Sequence, residues 1–222
     1  MAYPAGTRYG QGPATRGRGG PRPGERSGHA GRRELAAYRV LAIDGSGSMA
    51  ERLEDGNTKM GAAITATKAS LAHMAKYFPY QRVGMVVFND LAHMVFAYKS
   101  PNDYRLFDFL DKLRPSGRTN LSAGLEMAVT MLARTPRGVR RQLTVLSDGG
   151  ANERRDDLHP LLQKAVAGNI TIWTISLGDR GCPTSDEPLL RWLAENTRGG
   201  RFLRVHDMRG LIDAFTGARG RR

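Results

Sequence analysis

Two short apolar runs, far apart in the chain, constrain its fold more than anything else in the sequence. Val40–Ile43 and Leu143–Leu146 contain no polar interruption except Thr144, and each breaks off into an acid set among small residues. The first enters Asp44-Gly45-Ser46-Gly47-Ser48, the second Ser147-Asp148-Gly149-Gly150. Compact apolar runs of this kind predict buried strands. An acid at the end of a strand, followed by glycines and hydroxyls, makes a tight loop rich in oxygen. That donor set suits a hard divalent cation such as Mg²⁺.

The remaining sequence alternates between helix and strand signals. Lys59–Phe78 predicts a helix, because Met60, Ile64, Thr67, Leu71 and Met74 recur at three- and four-residue steps and Pro79 stops the run. Arg82–Phe88 and Ala92–Tyr98 flank Asn89-Asp90 and predict a hairpin, so one of the two runs antiparallel to its neighbour. Further helices are expected over Asn102–Leu113, Ser122–Ala133, Leu158–Ala167, Glu187–Asn196 and Met208–Phe215, and further strands over Ile170–Leu177 and Phe202–Val205. Alternation of this kind predicts a three-layer α/β domain. Its central sheet is mainly parallel with one antiparallel edge strand, and helices cover both faces. Ligands of open sheets bind beyond the carboxyl ends of the strands, where Asp44 and Asp148 both fall.

Charge is unevenly distributed along the 222 residues, whose net charge is +13. Residues 1–33 carry seven arginines against the single acid Glu25, a net +6, and the last four residues add three arginines. With almost no aliphatic side chains, residues 1–33 cannot offset roughly 1–2 kcal/mol of backbone entropy per ordered residue. The expected organisation is a disordered basic tail over 1–33, a folded domain over 34–216 and a short basic tail over 217–222. The first tail reads either as an arm that grips nucleic acid through its phosphates or as a plain solubilising extension. Cys182, the lone cysteine, excludes an internal disulfide. No apolar stretch reaches the ~18 residues of a membrane-spanning helix, and the N-terminus has no apolar core of a signal peptide. A cytoplasmic protein without membrane contact is expected on these grounds.

Asp44, Ser46, Ser48, Thr119 and Asp148 together carry a resemblance. The chain resembles the von Willebrand factor type A (VWA) domain, in its stand-alone bacterial form. That family's metal-ion-dependent adhesion site (MIDAS) joins an Asp-x-Ser-x-Ser loop to a distant threonine and a distant aspartate. Here these are Asp44-Gly45-Ser46-Gly47-Ser48, Thr119 in SGRTNL and Asp148 in LSDGG. The resemblance implies a Rossmann-like fold and a complete adhesion site holding Mg²⁺ (or Mn²⁺), with no bond broken. It also implies a protein partner that presents Asp or Glu to the metal, of the kind offered by AAA+ ATPases or stress-response proteins. Arg118 stands where a small residue is usual, and reads either as a second contact to an incoming carboxylate or as a solvated loop arginine. Gly45 and Gly149 complete the expected partner-binding set.

Catalytic alternatives lack parts. A phosphatase with an aspartyl nucleophile at Asp44 needs a second Asp where Ser46 stands. Pairing Ser46 with His159 for hydrolysis fails for want of a Gly-x-Ser-x-Gly elbow, and no Walker lysine follows Gly47-Ser48. The five histidines are scattered without metal-ligand spacing. A non-enzymatic binding domain is the expectation, with a nucleic-acid-associated adaptor using residues 1–33 as its rival.

Overall fold

The structure is a computed structural model that describes residues 37–150, 153–180, 184 and 186–216. The basic segments expected over 1–33 and 217–222, and Cys182, lie outside these residues. All described residues belong to the unit Glu34–Arg222.

Six strands form one sheet: β1 (Ala37–Asp44), β2 (Arg82–Phe88), β3 (Ala92–Lys99), β4 (Arg140–Ser147), β5 (Ile170–Leu177) and β6 (Arg201–Val205). Their spatial order is β3-β2-β1-β4-β5-β6, with β1 near the middle. All neighbours run parallel except β2 and β3, whose hairpin makes β3 an antiparallel edge strand. This is the mainly parallel, Rossmann-like architecture expected from the alternation of helix and strand signals.

Six helices cover the two faces: α1 (Lys59–Tyr77), α2 (Arg105–Leu110), α3 (Leu121–Ala133), α4 (Arg155–Ala167), α5 (Glu187–Glu195) and α6 (Met208–Thr216). Along β1, Leu41 and Ile43 pack with α1, α2 and α6, whereas Val40 and Ala42 pack with α3, α4 and α5. Alternate side chains of a strand point to opposite faces. A strand covered by helices on both must therefore be apolar at every position, which is why Val40–Ile43 shows no alternation.

Element boundaries shift from expectation where side chains compete with the backbone. The helix expected over Asn102–Leu113 is limited to α2, because Asp103 forms its own turn, accepting the Arg105 backbone N–H (3.2 Å) and pairing with the Arg105 guanidinium. Helix α4 starts at Arg155, earlier than the expected Leu158, with the Asp157 carboxylate at its third position accepting the Arg154 backbone N–H (2.8 Å). Both α1 and α3 start behind side-chain caps, Thr58 and Asn120. No helix among the described residues is long and apolar enough to cross a membrane.

Gly124 lets α3 approach β2 closely. A Cβ there would stand 2.6 Å from the Phe88 ring, which is fully buried. Gly-to-Ala in a helix interior ordinarily gains up to about 1 kcal/mol, but overpacking a core ordinarily costs about 1–3 kcal/mol. The fixed ring decides the sign. Gly124→Ala is expected to lower the unfolding free energy by about 1 kcal/mol in urea titrations, and a more stable variant would contradict this packing.

Candidate functional site at the carboxyl ends of the central strands

Asp44 is the last residue of β1 and is fully buried. The parallel register with β4 pairs Ile43 with Leu146, bringing Ser147 alongside it. The Ser147 hydroxyl donates to Asp44 Oδ2 (2.9 Å), and the Ser46 backbone N–H donates to Asp44 Oδ1 (2.9 Å). Burial pushes the Asp44 pKa up to about 6, a rise opposed by its hydrogen bonds from Ser46 and Ser147. Beyond Ser46 the chain makes a single 3-10 turn, Gly47–Ala50, which carries Ser48. Ser46 Oγ and Ser48 Oγ lie 3.0 Å apart, and the Ser48 hydroxyl donates to Asp148 Oδ1 (2.9 Å).

Neighbouring loops lock onto this one through their backbones. The Gly45 N–H donates to the Phe88 carbonyl (2.7 Å), the Ser116 N–H to the Gly45 carbonyl (2.8 Å) and the Gly47 N–H to the Gly117 carbonyl (2.9 Å). Gly45 is required by space, since a Cβ there would stand 2.5 Å from Val87 Cγ1. Gly149 and Gly150 turn at φ +100° and +93°, a region open to glycine. Thr119 Oγ1 lies 3.8 Å from the point a Cβ on Gly150 would occupy. Hydrogen bonds thus link Asp44, Ser46, Ser48 and Asp148 into one cluster, with Thr119 beside it on the adjacent loop. Of the three residues expected to meet a partner, Arg118 is exposed, whereas Gly45 and Gly149 are buried.

Lys59, in the first turn of α1, is the member of this cluster that the sequence reading missed. Its Nζ donates to Asp148 Oδ2 (2.9 Å) and to Glu51 Oε2 (2.6 Å), and its side chain is 9% exposed. Burial works against the ammonium, but hydrogen bonds and charge pairing with Glu51 and Asp148 outweigh it and hold its pKa above the usual lysine value. One signal was available. A lysine in the first turn opposes the helix dipole, and α1 has no acid there, so a tertiary acid is needed to hold it.

These contacts correct the expectation of a complete MIDAS with Mg²⁺ or Mn²⁺. Among the described residues, no group of three or more His, Cys, Asp or Glu side chains could hold a metal ion. All four carboxylate oxygens of Asp44 and Asp148 already accept hydrogen bonds, and the charge beside Asp148 is the Lys59 ammonium. As arranged, the residues do not fit a divalent cation, which needs several oxygens directed at one point.

The parallel sheet, its antiparallel edge and the loop crest at the carboxyl ends define a Rossmann-like interaction domain. The chain belongs to the von Willebrand factor type A domain family, whose model matches residues 40–151. As a member, it is a non-catalytic domain of protein–protein interaction. No curated protein matches the sequence. Among solved structures it is similar to a von Willebrand factor type A protein from Catenulispora acidiphila, at 22% identity and a TM-score of 0.69 over 83% of this chain, although it spans only 42% of that one. It is also similar to an aerotolerance-related membrane protein from Bacteroides fragilis (18% identity, TM-score 0.66, 84% of this chain and 100% of that one). A third match is the pilus adhesin SpaC from Lactobacillus rhamnosus GG (14% identity, TM-score 0.65, 85% of this chain and 31% of that one). The expected cytoplasmic location does not stand beside these matches. A fold shared with a membrane protein and a pilus adhesin does not select the cytoplasm.

Two outcomes follow from the cluster. Lys59→Met leaves Asp148 buried without its cation and is expected to cost roughly 3 kcal/mol of stability by chemical denaturation; a loss below the measurement error would remove the pair from its structural role. Asp44 holds its proton more tightly folded than unfolded, so its contribution to stability is complete below about pH 4 and is lost as pH rises through its folded pKa of about 6. That difference amounts to roughly 3 kcal/mol at most. Asp44→Asn is expected to lose this component of the pH dependence, seen as a wild-type-minus-variant stability difference that falls between pH 4 and 7.

Proposed function

We propose that the loop crest binds a protein partner by taking one of its acidic side chains against Arg118, with the Ser48 and Thr119 hydroxyls as neutral neighbours. One observation carries this reading: Arg118 is exposed at the crest and makes no ion pair among the described residues. It follows Gly117, which is fixed at φ +75° and whose carbonyl holds the Gly47 N–H, so the loop that bears it is anchored. An anchored guanidinium presents a planar fork of donors that matches a carboxylate. Lys59, the other cation of the crest, is already committed to Glu51 and Asp148. Nothing among the described residues selects an AAA+ ATPase, a stress-response protein or nucleic acid as the partner.

Surface plasmon resonance against an immobilised Asp/Glu-rich peptide, with a Lys-rich peptide as control, tests the reading. Arg118→Glu is expected to weaken binding about tenfold, or ~1.4 kcal/mol, and to flatten its salt dependence, with the melting temperature unchanged. Equal affinity in wild type and Arg118→Glu would overturn it.

A further inference from the structure

At the opposite end of the sheet, the amino-terminal ends of β1, β4 and β5 enclose a cavity of about 360 Å³. Register explains its lining. Arg39 of β1 pairs with Gln142 of β4, and Gln142 pairs with Thr171 of β5, so the three lie side by side across the sheet. Trp173 lies two residues further along β5, on the same face as Thr171. Gln81, Arg140, Arg141, Asn169 and Arg198 complete the polar wall, and none of the described lining residues is acidic.

Three buried polar atoms around this cavity have no partner among the described residues: Arg39 Nε, Gln81 Oε1 and Gln142 Nε2. Their common location is informative, because buried polar groups are nearly always hydrogen-bonded. Arg39 is the most costly of the three. Its guanidinium makes no hydrogen bond or ion pair among the described residues. Burial, reinforced by the neighbouring Arg140 charge, lowers its pKa to about 10, and it remains charged at neutral pH. Arg141, which directly precedes Gln142 in β4 and also lines the cavity, shows what completion looks like. Its guanidinium donates to Thr135 Oγ1 and to the carbonyls of Thr135, Pro136 and Gly168.

We propose that this cavity is a binding site for the phosphoryl group of a small molecule. Arg39, Arg140 and Arg198 supply positive charge with no acid among the described lining residues, which favours a dianion over a single carboxylate. Arg39 Nε–H and the Gln142 amide donate to phosphoryl oxygens. Gln81 Oε1 is an acceptor, and a phosphate cannot satisfy it unless protonated; a hydroxyl on the ligand can. The volume falls at the lower end of small-molecule sites, typically ~300–1,000 Å³. A sugar phosphate or nucleoside monophosphate carries both the dianion and the hydroxyl, and the Trp173 indole offers an aromatic surface beside it. The site is remote from the loop crest and independent of the partner reading.

Thermal unfolding of the full chain tests this with inorganic phosphate, ribose 5-phosphate, AMP and adenosine, each against sodium chloride of equal ionic strength. A phosphate-bearing ligand at roughly 100 times its Kd is expected to raise the melting temperature by about 5–10 °C, and adenosine to leave it unchanged. Inorganic phosphate matching the esters identifies free phosphate as the source; esters exceeding it identify a phosphate monoester. Either result supports the site. Arg39→Met is expected to abolish the shift while leaving the ligand-free melting temperature equal to or above that of wild type, since a half-buried charge without a partner among the described residues is gone. The double variant Arg140→Gln/Arg198→Gln alters only exposed side chains and is expected to weaken binding at least tenfold, so it serves even if Arg39→Met fails to fold. No shift beyond the chloride control, or an undiminished shift in the double variant, would overturn the proposal.

Discussion

Much of this structure follows from burying an acid at the end of a strand that has no exposed face. Asp44 terminates β1, which has sheet neighbours on both edges and helices on both faces. Water is excluded from it, so its oxygens must be satisfied by protein. The Ser46 N–H and the Ser147 hydroxyl do this, and each requirement fixes a loop. Ser46 can fold back only if Gly45 passes beneath Val87, and Ser147 can reach only because β4 lies parallel to β1 in this register. Asp148, next in line, is held by Ser48 and Lys59, which ties α1 to the sheet.

The crest is consequently a rigid frame whose buried charges are balanced within the protein. Breaking a buried ion pair from one side typically costs about 3–5 kcal/mol, so Lys59 and Asp148 restrain the loops against rearrangement. What remains exposed to a partner is the outer layer: the Arg118 side chain and the part-exposed hydroxyls of Ser48 and Thr119. Such a surface recognises by charge and fit.

The two ends of the sheet differ in how they treat charge. At the carboxyl end, buried carboxylates meet hydroxyls, a backbone N–H and an ammonium. At the amino end, Arg39 is half-buried beside other arginines, its Nε enclosed and without a counter-ion among the described residues, although Arg141 nearby is fully engaged. Since a charge drawn partly out of water without a partner opposes folding, the second arrangement is electrostatically unfinished in a way the first is not.

The strands, their order along the chain and the antiparallel edge were legible in the sequence because unbroken apolar runs and short turns are local signals. Helix ends were less so, as at α2, where the Asp103 side chain takes over the backbone's hydrogen bonds. Four of the five oxygen-bearing residues singled out from the sequence do form one hydrogen-bonded cluster with Thr119 beside it, since strand ends of a parallel sheet converge by topology. The sequence alone thus determined the sheet and where its acids emerge. Only the tertiary structure decided what neutralises them, because the Lys59 ammonium reaches Asp148 across 89 residues of chain, and a separation of that size leaves no periodic trace. The same holds at the far end, where Arg39, Gln81 and Gln142 become neighbours through strand pairing alone, and their missing partners are visible only once burial is known.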